Sequence, residues 1–530
     1  MRSRTAAGLL FLILAASAVL RLWGIGYGLD CVYCRPDEDR LLATAARFTA
    51  ADLNPRYFIW PSLFFYLARG GLETADGARA FLRGEARLGA PAALAAHPAP
   101  YYLAFRLAFC GLGLLTILSL YRLGKRLFSP EAGLIAALFL GASFLHGRDS
   151  RFAMLDIPAA LFTVAALGGS WSIYKRGLRR DYLWAGLFCG LAVSTKYYAA
   201  AAAFPLLAAH LSRPRPRSLR RLIAAALLAA LVFAISSPFL WLDFRAAARE
   251  IGGGILAPQF RTGFHLLPGL KTARGWLYHP LFSLRYGLGL PLEILALAGA
   301  VYGLARALRG AVAFRLLLSF VVPFFALLAF QKSCFLRYTT LLLPFLCLLA
   351  AEALRAAFAR GKASGLLLAL SALAVAAEPA GRLVRLDALL SRTDTRVQAS
   401  EWMVEKLPLD SRLLFAHPLI FGRPPAAGLY PNRSALPEGT KAEEMAGLIR
   451  GLRHQGWFFI LDQHPLSYSQ APPEVNDLLA REAQPLFTAD PFVPSARPPV
   501  YDPFDAFYVP IDGFEGVSRP GPAIRIYWIK

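Results

Sequence analysis

The chain has 530 residues, 56% hydrophobic and 17% charged, with a mean hydropathy of +0.46. This is too apolar for a soluble protein with several ordinary cores and describes a polytopic membrane protein. The formal charge of +23 would suit nucleic acid, but the Lys and Arg residues fall in short clusters between apolar runs and form no continuous basic face, so positive-inside topology accounts for them better. The six cysteines make no disulfide framework. Cys110, Cys189 and Cys347 lie in apolar runs, where a thiol is a small hydrophobe. Cys31 and Cys34 are the pair, open to either a disulfide outside the cytoplasm or half of a zinc site.

In chain order, Arg2 and Arg4 precede an apolar run from Ala6 to Leu22. No convincing small-x-small cleavage site precedes Arg21, which favours a retained first span over a removed signal peptide. A long polar interval, residues 23–100, follows. It holds Asp37, Glu38 and Asp39 and two amphipathic stretches, 41–51 and 60–69. Trp60, Phe64, Phe65 and Tyr66 in the second suit the headgroup layer. Further apolar runs lie at 102–120, 131–147, 156–173, 182–195, 197–211, 222–238, 288–305, 312–330, 338–354 and 364–378, giving about eleven transmembrane helices. Basic clusters recur at alternate links: Arg122, Lys125 and Arg126; Lys175, Arg176, Arg179 and Arg180; Arg213, Arg215, Arg217, Arg220 and Arg221; Arg306, Arg309 and Arg315; Arg355, Arg360 and Lys362. They set the N-terminus and these links in the cytoplasm. The stretch 182–211 then turns as a hairpin near Lys196, and an odd count of spans sends the C-terminus to the other side. After about residue 380 the composition becomes Pro-rich and mixed polar. Asp394 or a nearby Thr caps a helix to about Lys406 carrying Val397, Trp402 and Leu407, and 458–461 and 524–529 read as strands. The expected organisation is a membrane domain, 1–380, including the external loop 23–100, and a small extracytoplasmic α/β domain, 381–530.

The unusual polar residues fall on the outer links, where charge beside a bilayer is costly unless it lines a shared wet cavity. Adjacent carboxylates repel and resist desolvation, which suits Asp37, Glu38 and Asp39 to proton transfer or cation binding, against the plainer reading of a solvated turn. In the turn 146–156, Asp156 precedes Pro158 and reads equally well as a helix start. Lys196 at a hairpin tip either snorkels or meets a phosphate as a point charge. Lys332 and Arg337 add cations, beside Tyr338, at the start of another helix. Carboxylates and cations on one membrane face suit a substrate with an anionic head and a lipid tail, such as a lipid-linked phosphosugar. A carboxylate deprotonates the acceptor and cations stabilise the departing phosphate. Phosphate departure does not demand a metal, although the carboxylates could hold a divalent one. No Gly-rich loop after a strand supports a nucleotide-sugar donor.

Pro36-Asp37-Glu38 in a long first loop, Arg151 to Asp156 between the third and fourth spans, Gly190 to Tyr197, and Arg337-Tyr338 ahead of Pro344 together resemble the GT-C polyprenyl-phosphate-dependent glycosyltransferases, in the branch with protein O-mannosyltransferases and the lipid A aminoarabinose transferase. The resemblance covers roughly residues 1–380. It implies a multi-span bundle with an external active site and a sugar donor on a polyprenyl phosphate. It further implies Asp37 as general base, Glu38 and Asp156 as catalytic support, Lys196, Arg337 and Lys332 at the donor phosphate, and Asp39, Arg151 and Tyr338 in support. The acceptor would be a glycolipid, protein or polysaccharide, with nucleic acid excluded. A bacterial inner membrane with a periplasmic active site follows from the same resemblance. The third carboxylate and the Cys31/Cys34 pair depart from the family pattern. The competing readings are a transporter or flippase for a lipid-linked saccharide, which would place charge deep in the spans or show repeats, and an oligosaccharide polymerase or ligase, which would differ in donor size.

Overall fold

The computed structural model describes residues 3–31, 34–214, 217–262, 275–358, 364–417, 420–437, 440–471 and 474–529. Arg2, Arg215, Arg360 and Lys362 lie outside them. The chain divides into two compact units, one of Met1–Trp23 and Arg40–Val384 and the other of Gly24–Asp39 and Arg385–Lys530.

The first unit is helical. It contains α1 (Ser3–Leu22), most of α2 (Glu38–Ala46), then α3 (Leu63–Arg83), α4 (Ala90–Ala96), α5 (Pro98–Leu127), α6 (Pro130–Ala142), α7 (Phe144–Ser150), α8 (Asp156–Lys175), α9 (Arg179–Val193), α10 (Ala203–Ser212) and α11 (Leu219–Ser236). Longer helices follow at Leu290–Leu308, Val312–Ala329, Leu343–Ala357 and Ser364–Leu390. Every apolar run identified in the sequence is helical. Among the described residues, however, seven helices are long and apolar enough to cross a membrane, or eight if α6 and α7, bent by 64°, form one span. The difference from eleven is physical. The helices α9, with 15 residues, α10, with 10, and Leu343–Ala357, with 15, fall short of the ~20 residues that match a hydrocarbon core. Breaks at Ser143, at Lys196 and before Pro344 shorten these segments.

Small residues set the closest helix contacts. A Cβ at Gly190 of α9 would come within 2.8 Å of the Ala229 carbonyl of α11, and one at Gly186 would strike the Ala225 carbonyl. Backbones therefore touch directly, the usual solution where lipid supplies no hydrophobic force between helices. The long first loop is mostly helical and packed. Phe64 and Phe65 are buried, Phe64 against Phe109 and Phe65 against Trp60 and Tyr57, so these two rings serve the protein core rather than the headgroup layer.

The second unit holds a five-stranded sheet of β1 (Arg412–Phe415), β2 (Arg433–Ala435), β3 (Trp457–Gln463), β4 (Ala483–Ala489) and β5 (Ala523–Ile529), in the order β2-β1-β3-β5-β4. β1 runs parallel to β2 and β3, while β5 is antiparallel to β3 and β4. Both faces are covered. Leu413, Phe415, Ile460, Ile524 and Ile526 pack with Ala399 and Met403 of the helix Thr395–Lys406. Leu414, Phe459, Leu461, Tyr527 and Ile529 pack with Ile449, Val475 and Leu479 on the other side. In β5 Ile524 and Ile526 are buried, but Tyr527 is buried too and Trp528 is 40% exposed, so alternation along the strand does not separate core from solvent. Asp394 caps the helix as its sequence suggests, its carboxylate accepting from the Arg396 amide at 2.8 Å.

Candidate active site

In the first unit the polar cluster starts from α8. Asp156 is its first residue, yet its side chain makes no capping bond; it is fully buried and turned to the link after α9. There Ser194 and Thr195 close α9 by bonding back to the Gly190 and Leu191 carbonyls. Lys196 follows in extended backbone, and Tyr197–Ala202 begins a 3-10 turn. This sharp reversal carries two groups to the carboxylate. The Tyr198 hydroxyl donates to Asp156 Oδ1, and Lys196 Nζ lies 3.4 Å from Asp156 Oδ2. The ammonium also lies 5.5 Å from the Trp60 ring and 5.9 Å from the Tyr198 ring, a cation–π setting that stabilises its charge. Tyr197 anchors the turn by donating to the Phe58 carbonyl at 2.9 Å.

The Tyr338 ring approaches Tyr198 at 6.1 Å, which brings the 3-10 segment Leu336–Leu341 to the same cluster. Gln259 Nε2 donates to the Tyr338 hydroxyl at 2.7 Å. Arg337 stacks over Phe335 at 4.6 Å, and the exposed Lys332 donates from Nζ to the Arg261 carbonyl. Arg151 is buried and donates to the carbonyls of Leu20 at 2.7 Å and Trp23 at 3.3 Å, where a cation complements the C-terminal dipole of α1. Within this unit, then, Asp156 and Lys196 meet, Tyr338 reaches them through Tyr198, and Arg337 precedes Tyr338 on the same turn. Trp60, read from the sequence as a headgroup-layer aromatic, and Tyr198 complete the cluster without having been assigned to the site. The doubled tyrosine after Lys196 is the signal that could have found Tyr198; nothing local marks Trp60.

Asp37, Glu38 and Asp39 belong to the second unit. Cys31 and Cys34 form a disulfide with a 2.07 Å S–S bond, which resolves the choice left open by the sequence. Arg35 is buried and donates from Nη1 to both oxygens of Asp505, at 2.9 and 2.8 Å, with its guanidinium 4.8 Å from the Phe507 ring. Tyr27 donates to Asp394 Oδ2 at 2.9 Å, and Arg396 bridges Tyr27 and Asp394. Two buried ion pairs therefore fix the segment that bears the carboxylates. Asp37 sits at φ 74°, in the left-handed region that non-glycine residues seldom adopt and that is often found at functional positions. Glu38 is 1% exposed and starts α2 with Asp39. Among the described residues no group of three or more His, Cys, Asp or Glu side chains is placed to hold a metal ion.

Residues 102–242 match the family described as dolichyl-phosphate-mannose-protein mannosyltransferase, a span that includes Asp156, Lys196 and Tyr198. The chain is similar in fold to ArnT from Cupriavidus metallidurans in the apo state, with 16% identity, a TM-score of 0.52, and coverage of 98% of each chain. ArnT bound to undecaprenyl phosphate gives 13% identity, a TM-score of 0.51, and coverage of 99% of this chain and 97% of that one. The oligosaccharyltransferase of Archaeoglobus fulgidus in the apo form gives 16% identity and a TM-score of 0.50 over 87% of this chain and 70% of that one. No curated relative matches the sequence.

Proposed function

We propose that this membrane glycosyltransferase of the GT-C type moves one sugar from a polyprenyl-phosphate donor to an acceptor hydroxyl or amine of a glycolipid, protein or polysaccharide. The observation that carries the reading is Lys196 beside Asp156, within the matched span 102–242. ArnT, similar in fold across nearly the whole chain, binds undecaprenyl phosphate, which supports a lipid phosphate as the donor's anchor.

In this reading Asp37 takes the acceptor proton, with Glu38 and Asp39 supporting the local field. Lys196 and Arg337, with Lys332, face the donor phosphate and stabilise the charge that grows on it as the sugar–oxygen bond breaks. Asp156 and Tyr198 hold Lys196 in place. The 3.4 Å separation of Lys196 Nζ from Asp156 Oδ2 leaves the ammonium loosely held and available to a phosphate. Tyr338 lines the same turn, and Arg151 supports it through the end of α1. The chemistry takes place outside the cytoplasm of a bacterial inner membrane, with the N-terminus cytoplasmic.

The test compares wild type with Asp37→Asn, in nanodiscs, on a panel of radiolabelled polyprenyl-phosphate sugars with a membrane extract as acceptor. Asn tolerates a left-handed backbone as well as Asp does, so the substitution removes the charge and leaves the turn. Transfer by wild type alone is expected. Equal transfer by both proteins removes Asp37 from the reaction, and movement of donor across the bilayer without transfer overturns the enzyme reading in favour of a flippase.

A further inference from the structure

A second polar cleft lies at the other end of α8. Its residues come from the last turns of α5 and α8 and the first turns of α9, and it encloses about 420 Å³, within the range of small-molecule sites. Ser172 is sixteen positions beyond Asp156, roughly 24 Å along the helix at 1.5 Å per residue, so this cleft is separate from the Asp156 cluster.

Three guanidinium groups and one carboxylate line it: Arg122, Arg126, Arg176 and Asp181. Asp181 is committed, since it pairs with Arg176 at 2.5 Å and accepts from the Leu178 amide at 3.0 Å. Arg126 donates to Ser172 Oγ at 2.5 Å. Arg122 makes no hydrogen bond or ion pair among the described residues. Three cations against one anion leave a surplus of two positive charges in the cleft. One wall is aromatic: Trp184 and Phe188 of α9 stack at 5.6 Å and 15°, and Trp184 is 55% exposed. The floor is open because Gly168 has no side chain. A Cβ there would sit 3.8 Å from Arg126 Nη1, an ordinary contact, and anything larger would fill the space.

We propose that this cleft binds the headgroup of an anionic phospholipid. Helix ends of candidate spans carry Lys125, Arg126 and Lys175 in their last turns, the position of the membrane–water boundary, where basic pockets between helices recognise acidic headgroups. The guanidinium groups supply forked donors for phosphate oxygens. The exposed Trp184–Phe188 wall gives the acyl chains an apolar surface beside the charge, and aromatic rings favour this depth. A soluble phosphate would use the arginines but gain nothing from that wall. The lipid would tie α5 to α8 and α9, the two helices that deliver Asp156 and Lys196.

The test uses the purified full-length protein in a neutral detergent, with native mass spectrometry and thermal denaturation as readouts. The probes are phosphatidylglycerol, phosphatidylcholine and soluble glycerol phosphate. Phosphatidylglycerol should be retained and raise the midpoint of unfolding, while the other two should not. Arg122→Gln and Gly168→Leu should each lower phosphatidylglycerol retention, about tenfold for the lost charged contact. Arg122→Gln removes a side chain with no hydrogen-bond or ion-pair partner among the described residues, so it remains informative if Gly168→Leu fails to fold. Unchanged retention in Arg122→Gln overturns the proposal. Equal effects of phosphatidylcholine overturn it in favour of unspecific acyl contact, and equal effects of glycerol phosphate in favour of a soluble anion site.

Discussion

Lys196 is held by three weak restraints rather than one strong one: a carboxylate at 3.4 Å and two aromatic faces beyond 5 Å. If it meets the donor phosphate, its interaction grows in the transition state, and its loss should lower kcat more than it raises KM. Lys196→Met is expected to reduce kcat about a hundredfold, the scale of one lost charge-stabilising donor. Asp156→Asn should cost less, about tenfold, because a neutral amide still accepts from Tyr198 while holding the ammonium less firmly. The double variant should be no worse than Lys196→Met alone, since Asp156 acts through Lys196. Steady-state kinetics of the three variants decides this, and multiplicative losses would assign Asp156 an independent role. The lysine and the carboxylate were legible because charge stands out against an apolar background. Trp60 and Tyr198 were not, since an aromatic residue in a membrane chain is ordinary until a cation is found against it.

At the scale of elements, the turn that carries Asp37 depends on contacts hundreds of residues away. Arg35 pairs with Asp505 and Tyr27 with Asp394, and all four side chains are buried. Removing one partner of a buried ion pair costs about 3–5 kcal/mol. Asp505→Asn is therefore expected to lower the stability of the second unit and to reduce transfer, while Arg35→Gln/Asp505→Asn together should recover part of the stability without restoring transfer. Thermal denaturation and the transfer assay separate the two effects. Periodicity showed the helix Thr395–Lys406 and its Asp394 cap because those are local signals. It could not show that Asp394 also receives Tyr27, or that residues 24–39 join the C-terminal unit, because long-range pairing leaves no trace in a local pattern. The same limit explains the spans. Hydropathy placed a helix in each apolar run, but 15 apolar residues read alike whether they cross the bilayer or end inside the protein.

At the scale of the whole molecule, the two units should respond differently to acid. His464 is 6% exposed in the second unit. Its Nδ1 accepts from the Leu466 amide at 3.1 Å, which places the ring proton on Nε2, and Tyr501 and Tyr508 enclose the ring at 4.3 and 4.9 Å. Burial, reinforced by the charge of Arg396, pushes its pKa down to about 3, against roughly 6.5 in an unfolded chain. The unfolded state therefore binds a proton that the folded state refuses between those values. Stability is fully present above pH 6.5 and falls as pH drops toward 3, by up to about 1.4 kcal/mol per unit. Asp462 works the other way: burial raises its carboxyl pKa, so the folded unit takes up a proton more readily than the unfolded chain and gains stability as pH falls through that raised value. Unfolding followed from pH 7.5 to 4.5 should show a steeper fall of the second unit's midpoint in wild type than in His464→Gln, which has no proton to take up. Parallel slopes would mean that His464 is already solvated or protonated in the folded protein. Two units with separate cores also make a single transition a poor description, so the measurement should follow each unit with its own probe. Trp402 and Trp457 serve in the second unit and Trp171 and Trp184 in the first. A common transition with a common pH slope would show that acid acts on the net positive charge of the whole chain rather than on one buried imidazole.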